Sequence, residues 1–154
     1  MDEPSRLDRQ IARDKLLADI EPLWEALHAA LERTAAKLNG AYNCGISVDL
    51  NEHNSLIRAD SSPTVKDRDT EVHRQLEIRL DRRARKVTVI VVETMRHIRA
   101  PERAPTRGAP FTFEIDVDME RGQLCFTQKL ERFTPVALAE HLLTELLLGM
   151  KLPS

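Results

Sequence analysis

Glu114, Asp116 and Asp118 occupy alternate positions, and on a β-strand alternation puts all three carboxylates on one side. A rise of ~3.3 Å per residue spaces them by about 6.5 to 7 Å, too far for one strand to converge them on an ion. Such a row holds a divalent cation only when a neighbouring strand adds oxygen ligands. The chain has no calcium-loop spacing, and a solvated face paired with Arg79 and other bases accounts for the same residues. No metal and no cofactor are expected.

Glu93 and His97 stand four apart at the end of a predicted strand, with Arg99 just beyond. A carboxylate and an imidazole at a pocket mouth can act as an acid–base pair. These three are the groups most suited to face a ligand. The five histidines, His28, His53, His73, His97 and His141, show none of the close spacings that bind zinc, and His141 pairs most simply with Glu145 one helical turn on. Cys44 and Cys125 form neither a CxxC pair nor a disulfide framework, which fits a reducing, cytoplasmic compartment. Ser47, Ser55, Ser61 and Ser62 lack a nucleophile-elbow context.

Arg82, Arg83, Arg85 and Lys86 make a basic turn that could meet phosphates as point contacts. Residues 79 to 107 carry nine bases against three acids, but residues 1 to 78 and 108 to 154 are both net acidic and the whole chain is −2. The turn lies at the sheet end of Asp118 and Glu120, where local pairing is the simpler outcome. With aromatics at 4%, stacking on single-stranded nucleic acid is disfavoured, and the charge balance gives no general reason to bind DNA or an anionic membrane.

The elements that must position these groups are legible from periodicity. Leu76, Ile78 and Leu80 alternate with Glu77, Arg79 and Asp81; Val87, Val89 and Val91 follow after a polar turn. Phe111, Phe113, Ile115 and Val117 repeat the pattern, as do Leu124 and Phe126. If Asp81 faces Lys86, then Leu80, Ile78 and Leu76 face Val87, Val89 and Val91 on one side; a turn at Glu120-Arg121 sets Val117 opposite Leu124 and Ile115 opposite Phe126. Ile90 and Val92 make the second strand apolar on its other face too, which implies a central place and some outer cover.

Residues 5 to 38 read as helix, with Ser5 as N-cap and Ile20, Trp24, Leu27, Leu31, Thr34 and Leu38 along one stripe. Asn39-Gly40 is the expected stop, and Pro22 either kinks this helix or opens a second one. Residues 45 to 59, with Ile46, Val48 and Leu50, a turn over Asn51 to Asn54, then Leu56 and Arg58, suggest a short hairpin that extends the sheet or covers its outer face. Residues 59 to 70 read as an exposed loop, and the prolines at 101, 105 and 110 with Gly108 argue against regular structure over 97 to 110. Thr134-Pro135 starts a final helix toward Gly149 whose Val136, Leu138, Ala139, Leu142, Leu143, Leu146, Leu147 and Met150 cover about half its circumference.

The expected fold is a single α+β domain over residues 1–154: an antiparallel meander of at least four strands with an N-terminal and a C-terminal helix packed on one face. At 154 residues one core suffices, and no segment is apolar enough to span a membrane. In element order alone the chain resembles small acidic secretion chaperones and adaptor domains, many of which dimerise, although the middle helix of those chaperones is missing. The functional expectation is a non-enzymatic interaction module, adaptor or chaperone-like, acting as a homodimer or on a protein partner. Its contact surface would use Leu138, Leu142, Leu143, Leu146 and Leu147, or Ile90 and Val92. The alternative is a small-ligand-binding protein or enzyme with a pocket between sheet and helices under the 97–110 stretch.

Overall fold

Ser5 opens the first helix of the computed structural model, which describes residues 5–97, 99 and 103–149. Its hydroxyl accepts from the Asp8 N–H at 3.1 Å while the Asp8 carboxylate accepts from the Ser5 N–H at 3.3 Å, a reciprocal cap for α1 (Arg6–Leu17). Pro22 does not kink a continuous helix; it lies in the first turn of a separate one, α2 (Glu21–Tyr42), where a missing N–H costs nothing. The helix runs past the expected stop at Asn39-Gly40 and ends at Asn43, which takes the left-handed conformation at φ 53°. Asn39 is used differently: its side chain accepts from the Ile46 N–H at 2.7 Å and donates to the Ile46 carbonyl at 2.9 Å, fixing the chain's exit into the first strand.

Among the described residues nine strands follow: β1 (Ser47–Asn51), β2 (Leu56–Asp60), β3 (Thr64–Asp67), β4 (Thr70–Asp81), β5 (Lys86–His97), β6 (Arg103–Arg107), β7 (Phe111–Asp118), β8 (Gln123–Gln128) and β9 (Glu131–Phe133). They form one antiparallel sheet in the order β1-β2-β4-β5-β7-β8-β9, with β3 beside β4 and β6 beside β5. The registers are those that the alternation requires. Leu80, Ile78 and Leu76 face Val87, Val89 and Val91, and Val117 and Ile115 face Leu124 and Phe126. The β1–β2 hairpin extends the sheet at its edge.

Two stretches expected to lack regular structure contribute strands instead. The β4–β5 hairpin is twelve residues long on each side, so its far half projects beyond β2 and β7 and leaves edge N–H and C=O groups to satisfy. Thr64–Asp67 pairs with the projecting end of β4 and Arg103–Arg107 with that of β5. Pro105 is compatible with β6 because an edge strand can carry a residue that donates no hydrogen bond. Residues 98 and 100–102 of the proline-rich stretch lie outside the described residues.

Thr134 caps α3 (Pro135–His141) by accepting from the Ala137 N–H at 3.1 Å, and the helix continues as a π-helical segment over Leu142–Leu147. The wider turn closes with the Leu148 N–H donating to the Leu143 carbonyl at 3.0 Å, and Gly149 follows at φ +66°. Met150, expected on this apolar face, lies outside the described residues.

One buried cluster joins Leu17, Trp24, Leu27 and Leu31 of the first two helices to Ile57, Leu76, Ile78, Val87, Val89, Phe113, Ile115 and Phe126 of the sheet and to the leucines after Thr134. The helical stripe read from the sequence is therefore core: Ile20, Trp24, Leu27, Leu31 and Thr34 are buried and Leu38 is partly so. Arg13 of α1 donates to the Asp116 carboxylate of β7 at 2.9 Å. Among the described residues no helix is long and apolar enough to cross a membrane.

Candidate functional site

Extending the Asp81–Lys86 register along the long hairpin brings Arg74 opposite Glu93. The Arg74 Nε donates to the Glu93 carboxylate at 3.1 Å, and both side chains are about one third exposed. They line a cavity of about 320 Å³ whose other walls are Ser61, Ser62 and Thr64, the β4 residue Val72, and Leu147 and Leu148 at the end of the π-helical segment. The Arg74 guanidinium lies so close to Gly149 that a Cβ there would meet Nη1 at 2.8 Å. A cation at that point sits at the negative end of the helix, which stabilises it. The cavity thus combines an internally neutralised ion pair, three hydroxyls and an apolar floor, a lining suited to an uncharged polar molecule with one apolar side.

Of the three ligand-facing residues expected from the sequence, the structure brings only Glu93 to this cavity. His97 is exposed at the end of β5 opposite Thr70, four residues on, or about 13 Å along the strand, so no acid–base pair with Glu93 forms. Arg99 is 87% exposed and approaches Asp69 at 4.0 Å. The wall expected from the 97–110 stretch is supplied by residues 61–64. Arg74 lies two residues before the alternation that identifies the sheet, and only the register extended along the hairpin places it opposite Glu93.

The other face of the sheet carries a second arrangement. Counting across strands, Arg58, Glu77 and Ile90 form one row, and Gln75, Val92 and Arg107 the next. The Arg107 guanidinium crosses β5 to grip Glu77 with two bonds, Nη1 to Oε1 at 3.2 Å and Nη2 to Oε2 at 2.5 Å. The Arg107 bond holds the Glu77 carboxyl below its ordinary value, with the charges of Arg79 and Arg58 adding to it against the opposing effect of burial. Glu77 is 7% exposed. Because Arg107 starts beside Val92 and ends beside the neighbour of Ile90, its stem passes over both, and part of the outer cover that these residues need comes from the chain itself. Both remain half-buried.

The broad leucine face of the last helix is largely consumed within the protomer. Leu138, Leu142 and Leu143 are wholly buried and Leu147 is 1% exposed, whereas Leu146 is partly buried and Val136 is exposed. His141 pairs with Glu145, and its ring also lies 5.4 Å from Phe133 and 6.4 Å from Phe113.

The carboxylate row is divided among separate partners, Asp116 with Arg13 and Asp118 with Arg132 at 3.7 Å and Arg121 at 4.0 Å. Among the described residues no three His, Cys, Asp or Glu side chains gather as a metal site would require. In the basic turn, Arg82 pairs with Glu21 at the start of α2 and donates to Ser55, so the local partner is a helix residue and not Asp118 or Glu120. Burial pushes the Cys125 thiol up, away from the thiolate that nucleophilic chemistry uses.

Comparison of the chain with known proteins finds no matching family model, no similar curated protein and no similar solved structure.

Proposed function

We propose that this protein is a non-enzymatic interaction module, an adaptor or chaperone-like domain, that acts in the cytoplasm as a homodimer. In this reading residues 1–154 form one domain, the N- and C-terminal helices roof the apolar face of the sheet, and the opposite face makes the dimer contact. The observation that carries it is the composition of that opposite face. Ile90 and Val92 sit half-buried at its centre, ringed by Arg58, Glu77, Arg79 and Arg107. An apolar centre with a charged rim suits a two-fold contact, in which the centre leaves water while the arginines stay at the hydrated edge. The buried leucines favour this face over the last helix.

Sedimentation tests the reading. The purified protein is expected to run as a dimer at micromolar concentration, and Ile90→Asp to run as a monomer with an unchanged far-UV circular dichroism spectrum, since a carboxylate desolvated at the contact centre has no partner. A wild-type monomer throughout the micromolar range would overturn it.

The cavity between β4, β5 and the last helix favours a second reading, a small-ligand-binding protein. A library of uncharged polyols and sugars should then contain a compound that raises the melting temperature of the wild type, and Arg74→Ala should abolish that rise. No stabilising compound, or an equal rise in the variant, would remove this reading.

A further inference from the structure

A second concave surface lies between α1 and the turn joining β7 to β8. It encloses about 510 Å³ and is lined by Arg6, Arg9, Gln10, Arg13, Met119 and Glu120. Arg6, Arg9 and Arg13 fall on one face of the helix, three and four residues apart. Arg13 is neutralised by Asp116 at 2.9 Å, but among the described residues neither Arg6 nor Arg9 has an acidic partner. The first turn of α1 is capped by Ser5 and Asp8, so the positive character of this wall comes from side chains and not from open backbone N–H groups. Met119 is 46% exposed at the opposite wall, and Leu7 and Ile11 form an exposed apolar pair on the adjoining face of the helix at 68% and 54%.

From this we infer that the groove between α1 and the β7–β8 turn binds an acidic peptide segment of a partner protein, with Arg6 and Arg9 holding two carboxylates and Met119 seating an apolar side chain between or beside them. The inference rests on the interaction-module reading and names the partner's chemistry, at a surface separate from the dimer face. Charge complementarity selects the occupant. Guanidinium groups three residues apart on a helix stand about 5 to 6 Å apart at their Cβ atoms, and alternate side chains of an extended peptide stand about 6.5 to 7 Å apart on one side. Carboxylates at positions i and i+2 therefore reach both arginines. A continuous polyanion fits less well, because Glu120 forms part of the same groove and Asp116 and Asp118 lie nearby on β7. Two charges with an apolar contact between them can be satisfied here; an unbroken row of phosphates would meet the acidic wall as well.

The probe is a fluorescein-labelled octapeptide with glutamate at three alternate positions, one leucine among them and serine and glycine elsewhere, titrated with full-length protein and read by anisotropy. Saturable binding is expected, weakened by added salt and weakened at least about tenfold in Arg6→Glu/Arg9→Glu, as losing two ion pairs and gaining repulsion requires. Replacing the glutamates by glutamine should do the same to wild-type protein. Should the double variant lose helical circular dichroism, Arg6→Gln/Arg9→Gln takes its place with the same expected direction. Absence of saturable binding up to millimolar protein, or equal binding by a folded double variant, would overturn the inference. So would tighter binding to a single-stranded oligonucleotide or to vesicles rich in anionic lipid. Sedimentation of Ile90→Asp separates the two proposals: a monomer that still binds the peptide retains the groove without the dimer, and a wild-type monomer that binds it refutes only the dimer.

Discussion

Phe113→Ala is expected to remove about 3–5 kcal/mol of folding stability, the cost of emptying a fully buried aromatic site that cannot collapse. Phe113 is wholly buried on β7, its neighbour across the ladder is Val87 of the long hairpin, and its ring meets Phe133 edge-on at 5.8 Å and 84°. The residue therefore joins the centre of the meander to β9, the last strand of the sheet. Against a total of about 5–15 kcal/mol for an ordinary domain, such a loss leaves little margin. Urea unfolding followed by circular dichroism measures it directly. Phe111→Ala, two residues away on the same side of the strand but 40% exposed, is the internal control and should cost less than half as much. Equal costs for the two would mean that the aromatic contact with Phe133 contributes nothing.

The second large effect is tied to pH. Removing Arg107 takes the bidentate partner from a carboxylate that is 7% exposed and leaves only the more distant charges of Arg79 and Arg58 to offset its burial, so the ionised form is destabilised. In the wild type the Glu77 carboxyl titrates below its unfolded value, so its contribution is fully present above about pH 4.3 and is lost as the pH falls through the lower, folded value. In Arg107→Ala burial is no longer opposed by that bond, and the carboxyl moves upward. The variant should be least stable relative to wild type near neutral pH, and the gap should narrow once both proteins hold a protonated Glu77. Urea midpoints between pH 3 and pH 7 report this. A gap that is constant with pH would assign the effect to the lost packing of the arginine stem over Ile90 and Val92, and no gap at pH 7 would refute a role for the pair.

The central strands could be read from the chain because one buried face imposes a period of two. A slip of one residue would expose Leu76, Ile78 and Leu80 together, so the register was set by the apolar row alone. The ends of β4 and β5, and the short strands beside them, carried no such signal. Thr70 to His73 and Arg103 to Arg107 are strands because backbone groups must pair, and hydrogen bonding of the main chain leaves little trace in side-chain type. Arg107 belongs with them: the prolines around it argue against regular structure, yet it lies in β6 and crosses β5 to Glu77.

Helix termini failed in a different way. Asn39-Gly40 has the right residue types for a stop, but Asn39 gains more by bonding both backbone groups of Ile46, and the turn passes to Asn43. Sequence pattern also overstates the free apolar surface of the last helix. Leu138, Leu142, Leu143 and Leu147 have partners in a core that draws on α1, α2 and the sheet together, which a helical wheel cannot show. Of the ligand-facing trio, Glu93 was legible because it is near the middle of a strand of known register; His97 and Arg99 lie where the ladder ends, and distance along the strand separates them from it.

The widened turn at Leu142–Leu147 gives the chain a tolerance for changes in length that the rest of the core lacks. A π-helical segment holds one residue more than an α-helical one over the same closure, so a one-residue deletion after Leu143 can be absorbed by reversion to ordinary helix, with Leu138, Leu142 and Leu143 keeping their facing. The same deletion in α2 would rotate every following side chain by about 100° and turn Leu27 and Leu31 out of the core.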